Sequence, residues 1–174
     1  LSYVATRKDD KAGLVTFNEY FDTFVPASKQ VGQMQTLLEN LYKQETTFGE
    51  TDFSALCGHL GKHVNKRSFL VLYTNFSNMT SLNRQLVYLQ QLARQHRVLV
   101  VFFEDADLKE YIAGKSVTTE DYYRHVIAEK FAFEKRLIVS TLKQHGIYSL
   151  LTTPDKLSID VINKYLEMKS RQLL

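Results

Sequence analysis

Continuous apolar runs along the chain predict buried β-strands. Three such runs are rich in β-branched and aromatic residues and lack the alternation of a half-exposed strand. They are residues 12–17, 69–73 and 98–103. Runs of this kind are typical of parallel strands that are buried on both faces of a sheet. A weaker run at 147–151 predicts a fourth parallel strand. Residues 20–25, which Pro26 follows, predict an antiparallel partner at a sheet edge, where proline is tolerated.

Between these strands, apolar residues recur at the spacing of amphipathic helices. The sets predicted to face inward are Val31, Met34, Leu38 and Leu41; Phe53, Leu56, Leu60 and Val64; Leu82, Leu86, Leu89 and Ala93; and Ile127, Phe131, Ile138 and Leu142. A last helix is predicted from about residue 158, with Ile162 and Leu166 inward. Strands that alternate with helices require crossover connections. The predicted fold class is therefore α/β, in three layers, with a mostly parallel sheet, helices on both faces and one antiparallel edge strand.

Composition and charge narrow the choice of function. A chain of 174 residues with 44% hydrophobic residues is long enough for one domain with its own core. Cys57 is the only cysteine, so an intrachain disulfide and a cysteine-based zinc site are excluded. The net charge of +3 is small for a dedicated nucleic-acid binder, and the basic clusters at 62–67 and 94–97 fit solvated helix ends. No apolar run approaches the roughly 20 residues of a membrane span, and no signal peptide is visible.

Three short motifs follow one another in a familiar order. They are DKAGLVTF at residues 10–17, GETD at 49–52 and VLYTNF at 71–76. Their order and spacing resemble the von Willebrand factor A domain, in particular the bacterial domain-of-unknown-function family numbered fifty-eight. Members of that family show D-K/R-x-G-L-V-x-F, then G-G-T-D/N, then V-L-x-S/T-D-F. The resemblance covers nearly the whole chain and includes the late segment 122–148.

The resemblance implies a degenerate metal-ion-dependent adhesion site. Such a site combines an Asp-x-Ser-x-Ser loop after the first strand with a threonine and an aspartate from two later loops, which are oxygen ligands suited to a hard divalent cation. Thr51, with Asp52 beside it, matches the threonine, but Asn75 stands where the aspartate belongs, and the serine loop is missing. We therefore expect no metal and no cofactor in this chain, and magnesium only in a longer parent protein. Ordinary roles compete with this interpretation: Thr51 as a helix N-cap, Asp52 in the first helical turn, and Asn75 in a turn that bonds its own backbone.

The family pattern also implies that the central first strand precedes Leu1. We therefore expect one von Willebrand factor A-like domain over residues 1–174, truncated at its N-terminus. Strands 12–17 and 69–73 would each lose a neighbour, and apolar strand edges do not stay open in water. A homodimer or altered strand pairing, specific to this fragment, is predicted to cover the residues at stake. These are Leu14, Val15, Phe17, Leu70 and Leu72.

Other candidate chemistry is weaker. His59 and His63 share one face of a helix, but Leu60 follows His59 where a zinc protease requires glutamate. Cys57 lies beside the apolar Leu56 and fits a small buried residue. Three carboxylates follow the 98–103 strand, at the end of a parallel sheet where ligands bind. They are Glu104, Asp105 and Asp107.

The resemblance implies a protein–protein interaction or scaffold module, and we expect no enzyme activity. Members of the family are commonly paired with MoxR-type AAA+ ATPases, so the resemblance implies such an ATPase as partner. It also implies that the parent protein acts at the cytoplasmic face of a bacterial membrane. The chain itself is expected to be soluble, and any membrane contact is expected from segments of the parent protein outside residues 1–174. No nucleic-acid partner is expected. The alternative function is a phosphohydrolase-like enzyme that uses the strand-end carboxylates.

Overall fold

The computed structural model describes residues 1–18, 21–45, 51–76, 78–104 and 119–174. The chain forms two compact units, Leu1–Asn65 and Lys66–Leu174. The elements of the first unit are α1 (Ser2–Arg7), β1 (Ala12–Phe17), β2 (Phe21–Ser28), α2 (Gln33–Tyr42) and α3 (Phe53–His63). The elements of the second unit are β3 (Phe69–Tyr73), α4 (Met79–Gln95), β4 (Arg97–Phe103), α5 (Thr119–Gln144), β5 (Tyr148–Thr152) and α6 (Leu157–Ser170). The expectation of one domain over residues 1–174 stays a prediction.

The first unit is built on an antiparallel hairpin. β1 pairs with β2, with Leu14 opposite Val25 and a register shift between Ala12 and Leu14. At this shift the strands approach closely, because a Cβ added to Gly13 would lie 2.7 Å from the carbonyl oxygen of Val25 and 2.9 Å from the amide nitrogen of Ala27. The glycine of the DKAGLVTF motif is therefore required by packing. Pro26 falls in the same irregular stretch, where it costs no regular ladder bond.

Hydrogen bonds and apolar contacts link helix α2 to this hairpin. The Gln33 side-chain amide donates to the carbonyl oxygens of Ala12, at 2.8 Å, and Pro26, at 2.9 Å. Beneath this contact, Ala12, Val25 and Leu37 form a small buried cluster. The hairpin and α2 thus share a core, which a two-stranded sheet needs for stability in water.

The second unit contains a parallel sheet in the order β3–β4–β5. Leu72 pairs with Val100, and Val100 pairs with Ser149 on the other side. The five residues from Val98 to Phe102 are each at most 2% exposed. Because successive residues of a strand point to opposite faces, both faces of β4 are covered. The prediction that runs 69–73, 98–103 and 147–151 form parallel strands is confirmed.

The prediction that the 12–17 strand joins the same parallel sheet is wrong. Within the described residues β1 pairs only with β2, in a two-stranded sheet of its own. The predicted antiparallel partnership is confirmed, but β2 runs on through Pro26 to Ser28. A connection of three residues between the two strands makes local pairing easy, whereas joining a parallel sheet needs a long crossover. The predicted dimer or altered strand pairing of the fragment stays a prediction.

Three predicted helix faces need correction. In α6 the buried residues are Val161, Tyr165 and Met168, whereas the predicted Ile162 is only partly buried and Leu166 is exposed. In α2 the buried leucine is Leu37, whereas Val31, Leu38 and Leu41 are exposed. The adjacent leucines at 37 and 38 fit two helical registers equally well, and the cluster beside the hairpin selects Leu37. Of the residues predicted to face inward on α3 and α4, five are buried, and Val64, Leu86 and Ala93 are only partly buried. The buried ones are Phe53, Leu56, Leu60, Leu82 and Leu89.

The predicted inner face of α5 is confirmed only in its C-terminal half. Ile138 and Leu142 are fully buried there. In the N-terminal half, Ile127 and Phe131 lie on the same face but are about half exposed. The C-terminal half of this 26-residue helix is therefore anchored in the second unit. In the N-terminal half Ala128 is buried, but larger apolar side chains are exposed to solvent.

Candidate functional site

The carboxyl end of β3 carries a contact between an amide and an ammonium group. Thr74 N–H donates to the carbonyl oxygen of Val101 at 3.1 Å and extends the β3–β4 pairing beyond Tyr73. The chain then presents Asn75, whose Oδ1 accepts a hydrogen bond from Nζ of Lys135. The same Nζ donates to the carbonyl oxygen of Phe76 at 2.9 Å. Strand β3 and helix α5 are thus joined at the edge of the sheet where ligands of parallel sheets bind.

Phe76 fixes the position of this loop. Its side chain is 4% exposed and meets the Phe102 ring edge-on, with ring centroids 6.2 Å apart. Because Phe102 belongs to the fully buried strand β4, the backbone oxygen that receives Lys135 is held by the core. The ammonium group therefore has a defined place.

The charge of Lys135 has no acidic partner within the part of the chain that the structure describes. Both of its hydrogen-bond acceptors are neutral oxygens, and the ion pairs formed there involve other groups. Partial burial lowers the pKa of Lys135, because desolvation disfavours the charged form. The site is therefore a partly buried positive charge held by dipoles.

This arrangement bears on the predicted adhesion site. The amide oxygen of Asn75 faces the Lys135 ammonium. The residue two positions further on, whose amide would close the predicted turn, lies outside the described residues, so that turn stays a prediction. A divalent cation at the Asn75 amide oxygen would meet a like charge at hydrogen-bonding distance, which is unfavourable. That no metal binds at Thr51 and Asn75 stays a prediction, with Lys135 as an added reason for it.

Thr51 and Asp52 belong to the first unit, at the start of α3. The N-cap is Asp52, whose Oδ1 accepts from the amides of Ser54 at 2.7 Å and Ala55 at 3.1 Å. The prediction that Thr51 is the N-cap and Asp52 a first-turn residue is therefore wrong by one position. A carboxylate accepts two backbone N–H groups at a helix start as well as a hydroxyl does, and the helix dipole favours its charge. Asp52 thus has a structural role.

Two histidines and Phe24 form an aromatic group in the first unit. His59 and His63 stack with ring centroids 4.2 Å apart, and Phe24 lies 5.0 Å from the His59 ring. Burial lowers the pKa of His59, and the charges of His63 and Lys62 lower it further. The helical spacing predicted this shared face. Among the described residues, no group of three or more histidine, cysteine or acidic side chains is placed to hold a metal ion.

Cys57 has the properties of a core residue. Its side chain is 6% exposed, and burial, with a smaller contribution from Asp52, raises the pKa of its thiol to about 11. The thiolate needed for nucleophilic chemistry is therefore scarce at neutral pH.

The strand-end carboxylates are only partly described. The backbone N–H of Glu104 donates to the carbonyl oxygen of Thr152 at 2.9 Å and continues the β4–β5 pairing. Thr152 is buried, and its hydroxyl donates to Asp160 Oδ2 at 2.5 Å, which ties the end of β5 to α6. Asp105 and Asp107 lie outside the described residues.

Lys135 is the functional candidate that sequence analysis missed. A signal for it exists, because Lys135 follows Phe131 by four residues and precedes Ile138 by three, and so falls on the inner face of an otherwise apolar stripe. A charged residue at such a position needs a specific partner. What the sequence did not supply was the partner, since Asn75 is 60 residues away.

A comparison with known protein families identifies the family to which this chain belongs. The model of the family described as "Protein of unknown function DUF58" matches residues 1–119. The chain belongs to this family. No curated protein and no solved structure shows a match. The family match ends where α5 begins, so Asn75 lies inside the matched region and Lys135 lies beyond it.

The helices of the described regions are also informative about membrane insertion. None of them combines the length and the apolar character that a transmembrane segment needs.

Proposed function

We propose that this DUF58 chain is a protein–protein interaction module of a membrane-associated bacterial protein, and that its partner is a MoxR-type AAA+ ATPase. The fold proposed for it is a von Willebrand factor A-like domain without the first strand and the serine loop. The motifs at residues 10–17, 49–52 and 71–76 support this fold. The family match over residues 1–119 supports the wider assignment.

The observation that carries the proposal is the exposed apolar surface on α5 between Tyr122 and Phe133. Six large side chains there are between 46% and 66% exposed. They are Tyr122, Tyr123, Val126, Ile127, Phe131 and Phe133. An apolar surface of this extent on one helix is typical of a binding surface, and aromatic residues are enriched at the centres of protein interfaces.

The spacing of these residues gives the surface two faces. Tyr122, Val126 and Phe133 recur at intervals of four and seven residues and lie along one side of the helix. Ile127 and Phe131 lie on the side that continues toward the buried Ile138. A rigid helix that is anchored at one end can offer these side chains without a large ordering cost.

Binding to the ATPase tests this proposal directly. The chain, immobilised, is exposed to the MoxR-type ATPase of the same organism, and the dissociation constant is measured by biolayer interferometry. The double variant Tyr122→Ser, Phe133→Ser is expected to bind at least tenfold more weakly, because central aromatic residues dominate interface energies. The matched control is Ile159→Ser, which removes an exposed apolar side chain from α6. Failure of the unmodified chain to bind, or equal binding by the double variant, would overturn the proposal.

A further inference from the structure

The ammonium group of Lys135 can donate one more hydrogen bond than the described residues accept from it. A lysine ammonium carries three N–H donors, and two of them are used by Asn75 Oδ1 and the carbonyl oxygen of Phe76. Both acceptors are neutral, so the partly buried positive charge lacks a counter-ion among the described residues. A charge that is taken partly out of water gains most from an anion that is brought to it.

The surroundings of Lys135 indicate what kind of anion fits. Phe131 and Ile127 lie one and two helical turns before Lys135 on the same face of α5, and each exposes about half of its side chain. A ligand that reaches the ammonium therefore also meets apolar surface. Small inorganic anions gain nothing from such neighbours, whereas an acidic side chain between apolar residues does.

The position of the ammonium is fixed before any ligand arrives. Asn75 follows β3, and Phe76 is packed against Phe102 in the centre of the sheet. A donor held in this way does not lose side-chain freedom on binding, which is the main cost of pairing an ordinary surface lysine.

We infer that Lys135 binds a carboxylate of the partner protein, from an aspartate or glutamate whose neighbours in sequence are apolar. The inference rests on the proposed interaction function and names the residue type that the partner contributes. In the complex, the third N–H of Lys135 donates to the carboxylate, and Phe131 and Ile127 pack against the flanking residues. Asn75 and Phe76 act as positioning groups for the ammonium.

A displayed library of random seven-residue peptides provides the probe. It is selected on the unmodified chain, and the enriched peptides are synthesised together with copies in which each aspartate is changed to asparagine and each glutamate to glutamine. We expect the enriched peptides to contain an acidic residue beside an apolar one. Their dissociation constants are expected to rise at least tenfold on Lys135→Met, and equally when the peptide carboxylate becomes an amide. Lys130→Met is the matched control, because it removes an exposed lysine from the same helix.

A second variant, Asn75→Asp, tests whether a carboxylate inside the chain competes with the peptide for Lys135. Asn75→Asp places a carboxylate against Lys135 within the chain, so this internal counter-ion is expected to compete with the peptide and weaken binding about tenfold. This variant keeps Lys135 and the inner face of α5, and it gives the decisive reading if Lys135→Met does not fold, as judged by circular dichroism.

The outcomes separate the inference from the function on which it rests. Enriched peptides that bind equally well to the chain, to Lys135→Met and to Asn75→Asp would overturn the role of Lys135 and leave an interaction module standing. Enrichment of no peptide would count against both. Displacement of bound peptide by inorganic phosphate at lower concentration than by acetate would overturn the assignment of a carboxylate and indicate a phosphate site.

Discussion

The two units of this chain use similar apolar runs in different ways. In the first unit, Ala12 is the only residue of β1 that is buried, and among the described residues the strand has one neighbour. In the second unit, five successive residues of β4 are buried, and the strand has a neighbour on each side. An apolar run therefore predicts a strand, but the number of neighbouring strands and covering helices decides whether both faces are buried.

This difference implies different resistance to unfolding. A two-stranded hairpin depends on the helix packed against it, here through Gln33 and the small cluster around Leu37. The parallel sheet of the second unit has a continuous core along β4. We therefore expect the first unit to open at lower denaturant concentration than the second, since regions with few buried apolar contacts open first.

Truncation of a core leucine in each unit is expected to give the largest effects. Leu99 is fully buried in β4, and Leu99→Ala should lower the free energy of unfolding of the second unit by about 3 kcal/mol, through lost burial and the cavity left behind. Leu14 in β1 is only partly buried, and Leu14→Ala should cost the first unit about 1 kcal/mol. Urea titrations followed by two-dimensional NMR, with assigned signals from each unit, measure both. If either variant lowered the free energy of unfolding equally in the signals of both units, the two units would unfold as one.

A methyl group added at Gly13 is expected to disrupt the hairpin. Its Cβ would lie within 3 Å of two backbone atoms of β2, so Gly13→Ala should destabilise the first unit by about 2 kcal/mol. Gly61→Ala is the matched control, because an added Cβ there meets no atom within 4 Å and alanine favours a helix by about 1 kcal/mol. The same urea titration measures both variants, and a neutral Gly13→Ala would contradict the close approach of the strands.

The sequence predicted local structure better than it predicted assembly. Apolar runs located the strands, and the parallel order of the last three followed from the helices between them. The separate sheet of β1 was not predictable in this way, because a run of six apolar residues carries no information on how many neighbours it has. The site shows the same limit: Asn75 was identified from its motif, but its contact with Lys135 depends on how α5 meets β3.

Loss of a helix N-cap is expected to have a smaller effect on stability, and each unit has one cap that can be tested. Asp52 caps α3 in the first unit, and Asn78 caps α4 in the second, where its Oδ1 accepts from the Ser81 amide at 2.9 Å. Replacement of either by alanine should cost about 1 kcal/mol, confined to the unit that contains it. Asp52→Asn keeps an acceptor and should cost less than Asp52→Ala. A loss that spreads to the signals of both units would contradict independent unfolding.

The smallest effects are expected from the pH dependence of two histidines, one in each unit. Burial lowers the pKa of His59, helped by His63 and Lys62, and burial with the charge of Arg67 lowers the pKa of His96. Each folded unit therefore binds fewer protons than its unfolded form between the lowered pKa and the ordinary value of 6.5. The free energy of unfolding must rise with pH in that window and fall on acidification.

Protonation of His96 would break a hydrogen bond in the core of the second unit, so its effect on stability should be confined to that unit. Its ring is 2% exposed, and its Nδ1 accepts a hydrogen bond from the Ser68 amide at 3.3 Å, which requires that nitrogen to be unprotonated. His96→Asn offers an amide oxygen as acceptor and removes the titrating group, so the second unit should lose part of its pH dependence while the first keeps it. His59→Gln should do the reverse, and the exposed His145→Gln serves as the control. Urea midpoints taken from the NMR signals of each unit at pH 7.5 and pH 5, about one to one and a half units on either side of the ordinary histidine value, measure the effect. If His96→Asn reduced the pH dependence of both units equally, the two units would unfold together. The different burial of β1 and β4 would then not give the units different stabilities.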